Sequence, residues 1–258
     1  MGEIEQFGMI RHGAKQKGGE IRKPLEESGL SKEQQRKWSE AVEALKLVDP
    51  ELSHETVPGI EKLARHIYDG LPKHALVIFV STDTPRTKLT ADLLSMEILE
   101  IENSGGNKKD VAVAFIWEPE EIKKQPNSLS NIPIWPPEIM KTMREIIMQD
   151  ARDDEVMEAY LKSDGNFEIP NENGIMFRAI NNDLSNEESS LKRRAEELMI
   201  QYEKLKNTFV NEKRPIFFYG LGHHSSLVAL DIAFNGREEY ISVDEIPNPL
   251  DLWHAKKQ

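Results

Sequence analysis

Six consecutive apolar residues, Ala75-Leu76-Val77-Ile78-Phe79-Val80, stand between Lys73-His74 and Ser81-Thr82-Asp83. A strand with one solvated face alternates apolar and polar side chains, and this run does not alternate, so both of its faces must be covered. Doubly covered strands belong to parallel sheets with helices on either side. The run therefore predicts an α/β chain, a three-layer α/β/α sandwich with a mostly parallel central sheet.

The rest of the chain follows the same alternation. Ile4 to Ile10 predicts a strand ending at Arg11-His12-Gly13, followed by a polar loop rich in Lys, Gly and Glu. Ser31, with Gln34 at the capping-box position, opens a helix to about Leu47, and a second helix runs from Gly59 to about Tyr68 with Ile60, Leu63, Ala64 and Ile67 at helical spacing. After the Ala75 to Val80 strand come a helix from Arg86 to about Leu99 and a strand from Val111 to Trp117. Between Pro119 and Asp183 the alternation lapses: six prolines interrupt the chain, with short acidic helices around Glu138 to Gln149 and Asp154 to Leu161. This stretch, bounded as 119–185, reads as an insertion over the active face of a single domain spanning 1–258. A long helix from Glu187 to about Asn207 precedes the strand Pro215 to Leu221, the turn Gly222-His223-His224-Ser225-Ser226 and a helix through Phe234. A final strand is expected at Glu239 to Val243.

Composition narrows the function. The formal net charge of −12 opposes a polyanionic partner, so DNA and RNA are excluded as bulk ligands, although a few converging arginines still suffice for a phosphate. With no cysteine the chain has no disulfide, zinc ribbon or thiol nucleophile. No stretch approaches the roughly twenty apolar residues of a membrane span, which leaves a soluble, cytoplasmic protein as the expectation. Gly2 is not a myristoylation signal, since Gln6 occupies the position where Ser or Thr is needed.

Three segments share one layout: an apolar strand, a polar turn carrying Arg or His, then a helix. They hold Arg11-His12, Arg86 and His223-His224. In open α/β sheets ligands bind beyond the carboxyl ends of the strands, where helix N-termini add donors for an anion, so these residues are expected to converge on one pocket. Guanidinium groups stabilise the charge on a phosphoryl group in transfer, and a neutral imidazole attacks phosphorus without first losing a proton. A carboxylic acid must protonate the leaving oxygen.

The same residues resemble the histidine phosphatase superfamily, also called the phosphoglycerate-mutase-like family. Met9-Ile10-Arg11-His12-Gly13 is similar to its strand-end Arg-His-Gly signature, which implies His12 as the nucleophile and Arg11 as a phosphate ligand. The segment from Ser81 through Arg86 to Thr90-Ala91 resembles the second arginine motif and implies Arg86 as another phosphate ligand. Trp117-Glu118 ends a strand where many members place the general acid, with Glu120 and Glu121 as rivals to Glu118. Leu221-Gly222-His223-His224-Ser225-Ser226-Leu227 resembles the last strand, second histidine and helix. His223 is preferred there as catalytic and phosphate-binding, and His224 stays open.

The resemblance implies a metal-independent phosphomonoester hydrolase with a phosphohistidine intermediate, no metal or organic cofactor, and a small phosphorylated substrate or phosphorylated protein as its partner. Mutase-like members carry Ser or Thr and an Asn soon after Arg-His-Gly, whereas this chain reads Ala14-Lys15-Gln16-Lys17-Gly18, which favours hydrolysis over a phosphotransferring mutase. A phospho-ligand-binding module without turnover is the non-enzymatic alternative. His54, His66, His74 and His254 have no ligand spacing and read as structural or solvated.

Overall fold

The computed structural model describes residues 4–14, 24–47, 49–81, 84–104, 108–117, 137–150, 172–209, 211–245 and 250–254. Its five strands are β1 (Ile4–Arg11), β2 (Leu76–Ser81), β3 (Ala112–Trp117), β4 (Ile216–Gly222) and β5 (Leu252–His254), in the sheet order β3-β2-β4-β1-β5. The first four pair in parallel, and β5 closes the edge antiparallel to β1. In register, Arg11 lies beside Gly222, and Ser81 lies between Leu221 and Trp117, so β1 to β4 all finish along one edge.

Every residue of β2 is buried, and its alternating side chains serve different layers. Val77 and Phe79, with Ile10, Phe217, Tyr219 and Leu221, pack under α1 (Lys32–Ala44), α2 (Val57–Gly70) and α3 (Pro85–Ser104). Leu76, Ile78 and Val80, with Ile216 and Phe218, face the other way. On that side Met9 joins Ala195 and Leu198 of α6 (Ser190–Thr208) and Leu227, Ala229 and Leu230 of α7 (His224–Asn235). Truncating one such buried side chain costs about 2–5 kcal/mol, so the uninterrupted apolar run and the three layers are one fact seen twice.

Local signals set the helix ends. The Gln34 amide N–H donates to Ser31 Oγ at 3.2 Å, and the Ser31 N–H donates to Gln34 Oε1 at 2.9 Å, completing the expected capping box. At the far end of α7, Gly236 takes a φ of 63°, a left-handed stop that glycine adopts without strain. Among the described residues no helix is long and apolar enough to cross a membrane.

Two expectations are corrected. Glu239 to Val243 is not a strand; the chain there is irregular and enters a single 3-10 turn, Val243–Glu245. The backbone of Tyr240 is instead occupied by a side chain: its N–H donates to Asn181 Oδ1 at 2.9 Å and its carbonyl accepts from Asn181 Nδ2 at 2.8 Å. The closing strand is β5, three residues long, too short for periodicity to reveal.

Within the supposedly irregular stretch, Glu172–Leu184 forms a regular helix, α5, which packs on α4 (Pro137–Asp150). Ile175, Met176, Ala179, Ile180 and Leu184 bury its inner face against Ile139, Met143, Ile146 and Ile147, and the cluster reaches Leu191, Val228 and Tyr240. The helix expected at Asp154 to Leu161 lies outside the described residues.

Candidate active site

The end of β1 is held from both sides. The Arg11 N–H donates to the Asp251 carbonyl at 3.1 Å, the Leu250 N–H donates back to Arg11 at 3.0 Å, and the His12 N–H donates to the Gly222 carbonyl at 3.1 Å. Gly13 follows in a crowded position: an added Cβ would lie 2.3 Å from Thr56 Cγ2 and 2.6 Å from Leu52 Cδ1. Its N–H donates to Thr90 Oγ1 at 3.2 Å, and Thr90 Oγ1 donates to the Arg86 carbonyl at 2.8 Å. The β1 turn and the first turn of α3 are thereby tied together.

His12 is 5% exposed and His223 is 6% exposed, and their rings meet edge to face with centroids 4.7 Å apart. Burial pulls the His12 pKa down to about 2, and the charges of Arg86 and Arg11 and the proximity of His223 add to it, against the opposing pull of the Gly13 carbonyl. His223 falls to about 4, again chiefly through burial, then through Arg86, Arg194 and Arg11. Both rings are therefore neutral at physiological pH.

The tautomer of His12 follows from one contact. Its Nδ1 lies 2.6 Å from the Gly13 carbonyl oxygen, which only accepts, so Nδ1 carries the proton. The Nε2 lone pair is left for a reacting atom.

His223 occupies the N-cap position of α7 in extended conformation and makes no capping bond with its side chain. Arg86 stands in the first turn of α3 with its side chain 12% exposed. Two helix N-termini and the Arg11 and Arg86 guanidinium groups thus surround two uncharged imidazoles, a setting that favours an anion. Such an anion would find forked donors and a nucleophile in one place.

Of the residues expected from sequence, Arg11, His12, Arg86 and His223 come together here. His224 is the first residue of α7, and its side chain lies outside the described atoms. Glu118, with its rivals Glu120 and Glu121, falls outside the described residues, directly after the end of β3.

Two charged groups beside these residues were not anticipated. Arg194 is 6% exposed, burial lowers its pKa to about 10 against the opposing effect of Glu197, and its charge reaches His223. The helices α6 and α7 precede and follow β4 and both run against it, so their N-terminal turns share the edge where His223 lies. The strand-helix alternation carried that signal, but Lys192-Arg193-Arg194 reads as an ordinary solvated helix face.

The second is Glu51, whose Oε2 lies 3.4 Å from Arg86 Nε. Nothing in its residue type or spacing announces that the chain after Asp49-Pro50 brings it to Arg86. Among the described residues no group of three His, Asp or Glu is placed to hold a metal ion. No protein-family model and no curated protein matches the chain.

Proposed function

We propose that the protein hydrolyses phosphomonoesters through a phosphohistidine at His12, as its resemblance to the histidine phosphatase superfamily implies. The observation that carries this reading is a buried, neutral His12 whose Nδ1–H is engaged by Gly13, leaving Nε2 to attack, with arginines close enough to lower its pKa.

In the first step the His12 Nε2 lone pair forms a bond to phosphorus while the ester P–O bond breaks, and the leaving oxygen takes a proton from a carboxylic acid. Glu118 is assigned that role by its place after β3. Phosphorylation at Nε2 makes the ring cationic, and the Gly13 carbonyl on Nδ1–H stabilises that charge. Arg11, Arg86 and His223 hold the phosphoryl oxygens. In the second step water attacks phosphorus, its proton passes to the carboxylate, and His12 departs neutral.

The substrate class is a small phosphorylated molecule or a phosphorylated protein segment, and the assigned compartment is the cytoplasm. The chain following Glu118 is assigned as the cap that chooses between substrates.

The test is phosphate release from a generic aryl phosphate in the presence of a chelator. Wild type remains active, and His12→Ala loses on the order of 10³-fold or more in kcat. Equal rates from the two proteins, or loss of wild-type activity on chelation, refute the proposal.

A further inference from the structure

We propose that Glu51 is a built-in competitor for the phosphoryl site, an internal anion that Arg86 exchanges for the substrate and that keeps product phosphate weakly bound. This rests on the reading of Arg86 as a phosphate ligand.

The exposures of the two partners differ: the Arg86 side chain is 12% exposed and that of Glu51 is 41% exposed. A carboxylate approaching a buried cation from the solvent side withdraws into water at little cost, whereas the guanidinium stays where an incoming anion meets it. Their contact is also a poor fork. Glu51 Oε2 is 3.4 Å from Arg86 Nε, and that Nε has no hydrogen-bond partner among the described residues. A phosphoryl group supplies shorter, forked bonds and a larger charge, so it displaces the carboxylate rather than joining it.

The backbone shows that Glu51 is delivered to this place. Its φ of 53° lies in the left-handed region, which side chains other than Gly, Asn and Asp seldom adopt. Its N–H donates to Asp49 Oδ1 at 3.0 Å, which supports that turn. The next residue, Leu52, is fully buried beneath Gly13, and the Ser53 N–H donates to the Ala14 carbonyl at 2.9 Å. The loop carrying Glu51 is thus anchored to the strand end that carries His12, so a carboxylate that swings into water stays within reach of Arg86.

A displaced carboxylate beside a bound anion repels it, so Glu51 acts twice, once by occupying Arg86 and once by hastening release. An enzyme whose own product is an anion of the same shape gains turnover from such a device. Removing the carboxylate therefore tightens anion binding, whereas removing a merely structural residue loosens it.

The experiment is calorimetric titration of inorganic phosphate into wild type, Glu51→Gln and Glu51→Asn at fixed ionic strength, with melting temperatures measured alongside. Asn suits the left-handed backbone and guards against a variant that fails only through strain. Both variants are expected to bind phosphate about 2- to 5-fold more tightly than wild type. In turnover assays KM and the inhibition constant of phosphate fall together, and kcat does not rise.

An unchanged or weaker phosphate affinity in folded Glu51→Gln and Glu51→Asn overturns the proposal. Aryl phosphate hydrolysis that depends on His12, with phosphate affinity unaltered by the variants, refutes the role of Glu51 and leaves the hydrolase reading standing. Tighter binding in the variants without hydrolysis by wild type does the reverse. If none of the three proteins binds phosphate, both fail.

Discussion

Acidification is expected to unfold this protein through its two central imidazoles. An unfolded histidine titrates near 6.5, whereas His12 and His223 are held down to about 2 and about 4 in the folded chain. At pH 8 both states carry neutral rings and the two histidines contribute nothing to the pH dependence. Below pH 6.5 the unfolded chain binds protons that the folded chain refuses, so stability falls as pH falls, and it continues to fall until the folded pKa of each ring is reached. At pH 5 each depressed histidine costs about 2 kcal/mol relative to pH 8, and the pair costs about 4 kcal/mol. That is a large share of the roughly 5–15 kcal/mol that stabilises a typical domain.

Urea unfolding at pH 8, 6 and 5 measures it, with wild type compared against His12→Gln/His223→Gln. Carboxylates elsewhere titrate in both proteins and cancel in the difference. Wild type is expected to lose about 4 kcal/mol more than the double variant between pH 8 and pH 5, about two fifths of it already by pH 6. Parallel pH dependences in the two proteins refute the claim that these rings are buried in the neutral form.

Gly13→Ala drives a methyl group against Thr56, whose branched side chain is stiff, and against fully buried Leu52, so it is expected to destabilise by about 1–3 kcal/mol in denaturant titration. Gly222→Ala is the control: the atom met at 2.3 Å is the flexible end of Met9, and the cost stays under about 1 kcal/mol. Lys37 is buried with its Nζ 2.7 Å from buried Glu97 and 2.5 Å from Glu100, so Lys37→Met strands a carboxylate and is expected to cost about 3–5 kcal/mol by the same measurement. Adding Glu97→Gln should recover most of that loss, and no recovery would mean that Lys37 acts through packing alone.

The parts of the fold legible in sequence are those where an apolar run meets a polar boundary. The run Ala75 to Val80 differs from strand β2 by one residue at each end, and Ser31 with Gln34 marks the start of α1 correctly. Pattern fails where a side chain replaces backbone pairing, as Asn181 does for Tyr240, and where an element is as short as β5. It also fails at α5, whose buried residues lie at helical spacing but are interspersed with Asn and Gly, so the turn-like composition concealed the period.

The site divides similarly. Arg11, His12 and His223 sit at strand ends and Arg86 in the first turn of the helix after β2, and a parallel sheet brings such positions together whatever their separation in sequence. His223 meets His12 because it is the α7 N-cap, where the last extended residue turns its ring toward the β1 end. Arg194 and Glu51 reach the pocket from a helix flank and a turn, and their contribution depends on packing that no local pattern encodes.

The hydrogen bonds between Arg11 and Leu250–Asp251 join positions separated by nearly the whole described chain. Together with β4 on its other side, this makes the strand that leads into His12 the last part of the sheet to be completed during synthesis. The segment that leads into His12 is made before the other described strands, yet its backbone is paired only once β4 and β5 have followed. During that interval β1 is an open edge able to pair with other chains, so the growing polypeptide is most vulnerable to misassembly at the strand that positions His12.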